Sequence, residues 1–348
     1  MADVTVLCPE YFPRFRCKCG DCRTVCCQGW RISMTEAEYR RMLALPASPE
    51  LRGRLGEAFT VAENASADRY AFISPDESGF CRLLDGDGFC MVHRECGEGV
   101  QPSVCRLYPR AIRPGEITEA VCSGSCEKTV EMLMTEEPMA FVRLSVQTKA
   151  PLPEDCRREE QKEEIRRRCL ELWQREGEDA LTRIREIGAE VNSGWIPDTE
   201  KSLYSAALQL LRELGPISVS LKEILPRVLS HFAAEKSGAA LSPESLCRIR
   251  EAEAAADRRL PAWRRYIDNV MANHMFYCTF PYAGAVHTRH SLCGLGGTYG
   301  ALLLLCAWGL ETAEGDPAVV FADMASLALR FIEHTDFYRN AAVVLGKK

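Results

Sequence analysis

This sequence of 348 residues has no net positive charge, and histidine and long apolar runs are scarce in it. The net charge of -6 argues against a nucleic-acid scaffold, because such proteins usually carry a basic stripe. The longest strongly apolar run, Ala301–Trp308, is far shorter than the roughly 18–20 residues that a membrane span needs. Neither a nucleic acid nor a membrane is therefore expected as a partner.

A secretory signal is also missing from the start of the chain. The segment Met1–Glu10 lacks the basic start followed by an apolar stretch that marks such a signal, which favours a cytoplasmic location. The cytosol keeps thiols reduced, so clustered cysteines there indicate metal or redox chemistry rather than disulfides.

Cysteine, by contrast, is abundant and unevenly placed. Of the 18 cysteines, twelve lie in the first 126 residues: Cys8, Cys17, Cys19, Cys22, Cys26, Cys27, Cys81, Cys90, Cys96, Cys105, Cys122 and Cys126. The other six are scattered through sequence with helical periodicity, where cysteine usually packs as a small hydrophobe. Residues 1–135 are therefore predicted to form a cysteine-rich metal-binding region. Residues 136–348 are predicted to form a helical body that packs with it as one unit.

The second half shows helical periodicity throughout. Apolar stripes predict helices over Glu159–Ile187, Leu203–Leu214, Leu221–Ala234, Pro243–Leu260, Trp263–Phe276, Tyr299–Leu310 and Pro317–Phe331. No strand–helix alternation and no internal repeat is visible. The predicted fold is mainly α, with an irregular cysteine-rich region docked on a multi-helix body.

The spacing of the cysteines leaves the ligand set open. If Cys22–Cys27 is helical, Cys26 and its neighbour Cys27 point about 100° apart, so there are either two metal sites or one packing cysteine in the pair. Asp85-Gly86-Asp87-Gly88 predicts a short hairpin that brings Cys81 and Cys90 together. Cys122 and Cys126 would point the same way on a helix.

The type of metal is equally open. His93 is the only histidine among these cysteines, and an all-thiolate set suits either an iron–sulfur cluster or a structural zinc. The Cys-x3-Cys-x2-Cys motif of radical S-adenosylmethionine enzymes is absent: Cys27 follows Cys26 directly, and no such third cysteine follows Cys126.

The order of these motifs resembles the flagellin lysine-N-methylase family. The resemblance rests on Cys17-x4-Cys22-x3-Cys26-Cys27-x-Gly29-Trp30, Cys81-x-Leu83-Leu84, Cys90, Cys105-Arg-Leu-Tyr-Pro-Arg110, Ser125-Cys126-Glu127 and a helix from Trp263 that ends in Phe280-Pro281. It implies methyl transfer from S-adenosylmethionine to lysine side chains of flagellin, with a [4Fe–4S] cluster involved. The family's cysteines fall on Cys17, Cys22, Cys26, Cys27, Cys81, Cys90, Cys105 and Cys126. Cys19 and Cys122 are additional and compete as ligands.

Methylation of an amine requires a neutral lysine, so a group must remove the proton of a side chain whose pKa is about 10.4. Tyr108 and Glu127 are the candidate catalytic residues, although Glu127 also suits a helix N-terminus. Arg106 and Arg110 are candidates either for neutralising a thiolate-rich cluster or for holding the carboxylate of S-adenosylmethionine. Trp30 is a candidate for lining a cavity for an adenine ring or a lysine stem.

A doubly wound nucleotide site is not predicted. Gly294–Gly297 has no strand before it, and a loop that permits close helix packing explains these glycines better. The alternative to a methyltransferase is a non-enzymatic iron–sulfur or zinc-binding carrier or structural module, for which the same cysteines would suffice. The helical region of some 200 further residues favours an enzyme, because a carrier would hardly need it.

Overall fold

Strands and helices both contribute to the computed structural model, which describes residues 2–148, 160–214, 219–232, 241–283 and 287–346. The strands are β1 (Ala2–Pro9), β2 (Ile32–Met34), β3 (Phe59–Val61), β4 (Ala71–Ile73), β5 (Arg110–Arg113), β6 (Thr118–Cys122) and β7 (Phe141–Thr148).

The α-helices are more numerous and longer than the strands. They are α1 (Glu36–Leu43), α2 (Pro49–Ala58), α3 (Met91–Cys96), α4 (Ser103–Leu107), α5 (Glu127–Leu133), α6 (Glu160–Trp173), α7 (Ala180–Glu190), α8 (Glu200–Leu214), α9 (Val219–His231), α10 (Pro243–Arg259), α11 (Trp263–Tyr277), α12 (Thr288–Thr312), α13 (Pro317–Glu333) and α14 (Phe337–Leu345). Short 3₁₀ turns occupy Phe12–Arg14 and Glu98–Val100. The prediction of a mainly α fold is confirmed.

The chain divides into two compact units. The body unit comprises Met1–Arg16, Pro109–Pro216 and Leu221–Lys348, and the cysteine-rich unit comprises Cys17–Tyr108 with Ile217–Ser220. This division differs from the sequence-based boundary at residue 135, because strand pairing holds both the N-terminal segment and residues after Tyr108 in the body unit. The predicted docking of the two regions stays a prediction.

A four-stranded sheet in the order β5-β6-β1-β7 belongs to the body unit. β1 runs parallel to β6 and antiparallel to β7, with Val6 opposite both Thr118 and Leu144. The sequence analysis missed this sheet. A usable signal was present, since Val142, Leu144 and Val146 alternate with polar residues at the period of a strand.

The helices of the body unit pack around α12, which contacts α8, α10, α13 and α14. α12 begins eleven residues before the predicted start at Tyr299, and Gly294–Gly297 lie inside it rather than in a loop. The prediction of a loop at Gly294–Gly297 was therefore wrong. The glycines do, however, permit close packing of helices, as predicted. A Cβ on Gly294 would stand 2.3 Å from the Tyr338 ring, and one on Gly300 would stand 2.7 Å from the Cβ of Ala207.

The same helix is long and apolar enough, by length and composition, to cross a membrane. Its apolar window is entirely buried within the protein, which is the environment of a core helix. Another predicted helix, Glu159–Ile187, is interrupted: α6 ends at Trp173 and α7 begins at Ala180, with Asp179 as its N-cap. Gly177, at a φ of 78°, lies in the break.

The cysteine-rich unit has its own small sheet and core. β4 pairs antiparallel with both β2 and β3, placing Phe72 opposite Ser33 and Thr60. α1 starts at a capping box in which the Thr35 hydroxyl accepts from the backbone N–H of Glu38 and the Glu38 carboxylate accepts from Thr35. The core of this unit includes Met42, Leu51 and Ile73, each nearly fully buried. It gives the cysteine-rich unit a hydrophobic interior of its own.

Candidate metal centre

Backbone pairing brings Cys27 beside Cys81 in the cysteine-rich unit. The Cys81 N–H donates to the Cys27 carbonyl at 2.8 Å, and the Gly29 N–H donates to the Gly79 carbonyl at 2.8 Å. The stretch from Cys22 to Cys27 is irregular, so the helix considered for it is not formed. Two cysteine segments about fifty residues apart in sequence therefore meet side by side.

A tight turn carries Cys90 back toward Cys81. The Asp85 carboxylate accepts from the backbone N–H groups of Asp87 at 2.9 Å and Phe89 at 3.0 Å. One isolated bridge joins Leu84 to Cys90, after which α3 begins. The predicted hairpin is thus reduced to a turn with a single bridge, since the chain enters a helix where the second strand would continue.

Cys105 is supplied by the short helix α4. The backbone N–H of Ser103, at the start of that helix, donates to the Glu38 carboxylate at 2.7 Å, which fixes α4 against the end of β2 and the start of α1. Cys81, Cys90 and Cys105 are all partly buried and pack on the core of the cysteine-rich unit.

Electrostatics show that these thiols lie within reach of one another. The pKa of Cys81 is raised to about 11, mainly by burial, with a smaller contribution from the charges of Cys90 and Cys26. Burial also raises the pKa of Cys105, and Cys81, Cys90 and Cys26 add to that effect. For Cys27, the hydrogen bond with Cys26 is the largest cause of a pKa well above the usual range. Thiolates that lie this close repel one another and need a cation nearby to ionise together.

The converging side chains have the ligand atoms of a metal centre but not the arrangement of a site for a single metal ion. Cys26, Cys27, Cys81, Cys90 and Cys105 supply only sulfur, as iron–sulfur clusters and structural zinc require. The sulfurs of Cys26 and Cys27 are 3.9 Å apart. Among the residues that the structure describes, however, no three His, Cys, Asp or Glu side chains are arranged to hold a single metal ion. The converging thiols are therefore more widely spread than a mononuclear site requires.

Three predicted or competing ligands lie in the segment that precedes Cys26. Cys17 and Cys19 are exposed and Cys22 is partly exposed. Cys19 has a φ of 55°, and its backbone N–H donates to the Cys17 sulfur at 3.3 Å. The exposed thiols of Cys17 and Cys19 lie outside the hydrophobic core of the cysteine-rich unit.

Cys126 lies in the body unit, together with Cys8 and Cys122. Cys122 ends β6 and Cys126 is the N-cap of α5, so the two do not share a helix as considered from their spacing. Burial raises the pKa of Cys122 to about 12, with the charge of Cys126 adding to the effect and that of Arg110 opposing it. The body unit thus contains a second, smaller group of thiols.

The other predicted site residues are divided between the two units. In the cysteine-rich unit the Trp30 and Tyr108 rings lie 6.3 Å apart, the Trp30 indole donates to the Cys26 carbonyl at 2.8 Å, and Arg106 is exposed. In the body unit Arg110 stacks over the Phe15 ring at 4.9 Å, and Glu127 is buried at the first position of α5. Trp30 and Tyr108 therefore lie near the thiol group, while Arg110 and Glu127 lie near Cys122 and Cys126.

Sequence reasoning missed a buried polar network in the body unit. His274 on α11 bonds to Glu333 on α13 at 3.0 Å and to the Tyr338 hydroxyl at 3.1 Å. The Glu333 carboxylate also accepts from the Ser123 hydroxyl at 2.5 Å and from the Ser125 N–H at 3.2 Å. The available signal was polar residues, such as Asn273 and His274, within the buried stripe of a helix.

A second part of this network holds the end of β6. The Tyr11 hydroxyl donates to the Asn273 side chain at 2.6 Å and accepts from the Cys122 N–H at 3.2 Å. The amide of Asn273 donates to the Cys122 carbonyl at 3.0 Å. These contacts fix the Cys122 backbone next to Cys126, so the smaller thiol group has a rigid support.

Comparison with curated proteins gives matches to one kind of enzyme. The Lysine-N-methylase of Salmonella typhimurium strain LT2 is 25% identical over 143 residues, which are 40% of this chain and 35% of that protein. The Lysine-N-methylase of Salmonella choleraesuis strain SC-B67 matches with the same identity and coverage. The chain resembles the lysine-N-methylases. Its match spans only about a third of their length.

A third match is named for flagella. The Flagellar biosynthetic protein FliU of Salmonella muenchen is 24% identical over 143 residues, which are 40% of this chain and 84% of that protein. No family model matches the chain. No solved structure matches it either.

Proposed function

We propose that this chain is a protein-lysine N-methyltransferase that transfers a methyl group from S-adenosylmethionine to lysine side chains of flagellin. The similarity to proteins named Lysine-N-methylase carries the proposal. The match to a flagellar biosynthetic protein supports flagellin as the substrate. In this proposal the enzyme works in the cytoplasm, where its thiols stay reduced.

A [4Fe–4S] cluster is part of the proposal. Cys26, Cys27, Cys81, Cys90 and Cys105 converge and offer only thiolate ligands, so four of them would hold the cluster. Cys17 and Cys22 are further proposed ligands on the exposed segment, with Cys19 as a competitor. Cys126, with Cys122 as its competitor, would serve a second metal site. A bound cluster would cross-link segments that are distant in sequence.

In the proposed reaction the methyl group passes directly from the donor to the lysine, without a covalent bond to the protein. A base first takes the proton of the lysine ammonium. The neutral nitrogen then attacks the methyl carbon of the donor, the carbon–sulfur bond breaks, and sulfur keeps the electron pair. Tyr108 and Glu127 are the proposed bases, and Arg106, Arg110 and Trp30 are the proposed donor-binding residues.

A methylation assay tests this function. The anaerobically purified chain is incubated with flagellin and S-adenosylmethionine carrying a deuterated methyl group, and flagellin peptides are analysed by mass spectrometry. We expect labelled methyl groups on lysine. Cys105→Ala should abolish the label, and Cys247→Ala, at an exposed cysteine on α10, should leave it unchanged. Metal-loaded protein that leaves flagellin unlabelled would disprove the proposal.

A non-enzymatic metal-binding module is the second candidate. One observation favours it: the converging thiols and a separate hydrophobic core belong to the same compact unit, whose folding a bound metal would stabilise. Iron, acid-labile sulfide and zinc per chain distinguish the readings. About four irons and four sulfides support the cluster enzyme, whereas stoichiometric zinc without sulfide supports the structural module.

A further inference from the structure

The C-terminal end of α11 places a cysteine next to a buried ion pair. His274 Nδ1 is 3.0 Å from Glu333 Oε1, and both side chains are almost completely buried. On the other side of the imidazole ring, Nε2 is 3.1 Å from the Tyr338 hydroxyl. The Cys278 sulfur is 3.9 Å from that same hydroxyl. Polar contacts thus run without interruption from Glu333 to Cys278.

Solvent reaches this series of groups at its cysteine end. Cys278 is partly exposed, whereas His274 and Tyr338 are buried. None of these four groups belongs to the proposed metal ligands. A reagent in solution could therefore meet the thiol, while the groups behind it stay shielded from water.

The backbone beside Cys278 is strained. Thr279 has a φ of 56°, a region that β-branched residues rarely adopt. Surrounding hydrogen bonds hold it there: the Phe280 N–H donates to the Met275 carbonyl at 2.9 Å, and the Thr279 hydroxyl donates to the Cys278 carbonyl at 2.6 Å. Strain that the fold maintains in this way is concentrated at functional sites.

The charge state of the histidine suits a nucleophilic thiol. Burial lowers the pKa of His274, but interactions with Cys278 and then with Glu333 outweigh burial and raise it to about 10. The protonated ring therefore places a positive charge directly behind the Tyr338 hydroxyl that contacts Cys278. A nucleophile, a histidine and an orienting carboxylate in contact form the arrangement that activates cysteine nucleophiles in enzymes.

We propose that Cys278 is a nucleophilic cysteine that reacts with soft carbon electrophiles, supported by Tyr338, His274 and Glu333. The thiol proton leaves to water at the exposed end of the series, and the His274 imidazolium, held by Glu333, stabilises the thiolate through the Tyr338 hydroxyl. The thiolate attacks the electrophilic carbon, a carbon–sulfur bond forms, and the leaving group departs with its bonding electrons. The site is independent of the proposed methyltransferase activity.

Alkylation by iodoacetamide tests this assignment. The intact chain is treated with limiting reagent at pH 7, and the rate at each cysteine is read from peptide masses. We expect Cys278 to react at least threefold faster than Cys247, although Cys247 is more exposed. We expect only a modest increase in the alkylation rate, because thiols that ionise more easily are also weaker nucleophiles.

Two variants separate activation from mere exposure. Tyr338→Phe removes the connecting hydroxyl and His274→Gln removes the cation, so each should slow the alkylation of Cys278 at least threefold and leave Cys247 unchanged. The buried Cys169, Cys293 and Cys306 report on folding, since they should stay unlabelled in every folded variant. If these cysteines are labelled in a variant, that variant is not folded, and the comparison of Cys278 with Cys247 in the wild type then tests the proposal. A Cys278 that reacts no faster than Cys247, or folded variants that keep the wild-type rate, would overturn the proposal.

Discussion

The indole N–H of Trp30 donates a hydrogen bond of 2.8 Å to the backbone carbonyl of Cys26. This contact fixes the backbone at the first of the converging thiols, since the surrounding segment has no helix or strand to hold it. The position of Cys26 therefore depends on a side chain four residues further along the chain.

Replacing that indole tests its contribution. Trp30→Phe keeps an aromatic ring but loses the donor, and we expect a loss of about 1 kcal/mol in the unfolding free energy of the metal-free protein. Urea unfolding followed by circular dichroism measures it. Leu43→Ala, at an exposed position of α1 in the same unit, is the control and should change stability by less than about 0.5 kcal/mol. Equal losses in both variants would contradict the assigned role.

Removal of a converging thiol should remove metal. Cys81→Ser or Cys105→Ser is expected to lower bound iron at least tenfold, because each removes a partly buried thiolate ligand from the converging group. Iron and sulfide are measured per chain after anaerobic purification. Cys247→Ser, at an exposed position on α10, should keep the wild-type content. Full iron content in both Cys81→Ser and Cys105→Ser would place the metal elsewhere.

Stability should fall at alkaline pH because of His274. Its pKa is about 10 in the folded protein, above the usual value near 6.5. The stabilisation is therefore complete below about pH 6.5 and is lost as pH rises toward 10. Between pH 7 and 9 we expect the unfolding free energy of the wild type to fall faster than that of His274→Gln by about 1.4 kcal/mol per pH unit. Urea titrations at several pH values measure both slopes, and equal slopes would rule out a protonated His274.

The glycines of α12 allow a matched test of close packing. A Cβ at Gly294 would stand 2.3 Å from the Tyr338 ring, so Gly294→Ala should destabilise the protein by about 1–3 kcal/mol despite the better helix propensity of alanine. Gly53 in α2 has no atom within 4 Å of the same position. Gly53→Ala should therefore stabilise by about 0.5–1 kcal/mol. Thermal unfolding compares the two, and a stabilising Gly294→Ala would show that the helices are not in contact there.

Several features of the fold could be predicted from local sequence. The helices Pro243–Arg259, Trp263–Tyr277 and Pro317–Glu333 match their predicted ranges within a few residues, because their apolar stripes repeat at the helical period. The turn at Asp85–Gly88 follows from the Asp and Gly residues that such turns require. The abundance of cysteine in the first third predicted a group of thiols, and a group of thiols is present.

Contacts between distant segments were beyond such reasoning. The sheet pairs strands that begin at Ala2, Thr118 and Phe141, and no local pattern specifies which strands meet. For the same reason, local sequence did not predict that Cys126 and Glu127 lie with Cys8 and Cys122 in the body unit. Nor did it predict the contacts of His274 with Glu333 and Tyr338.

The helical periodicity, the turns and the number of thiols follow from the amino-acid sequence, because they depend on neighbours within a few residues. The identity of the converging thiols and the position of Cys278 beside a buried histidine–glutamate pair follow from tertiary packing. Those relationships arise when burial of apolar surface brings together segments up to 262 residues apart, as between Tyr11 and Asn273.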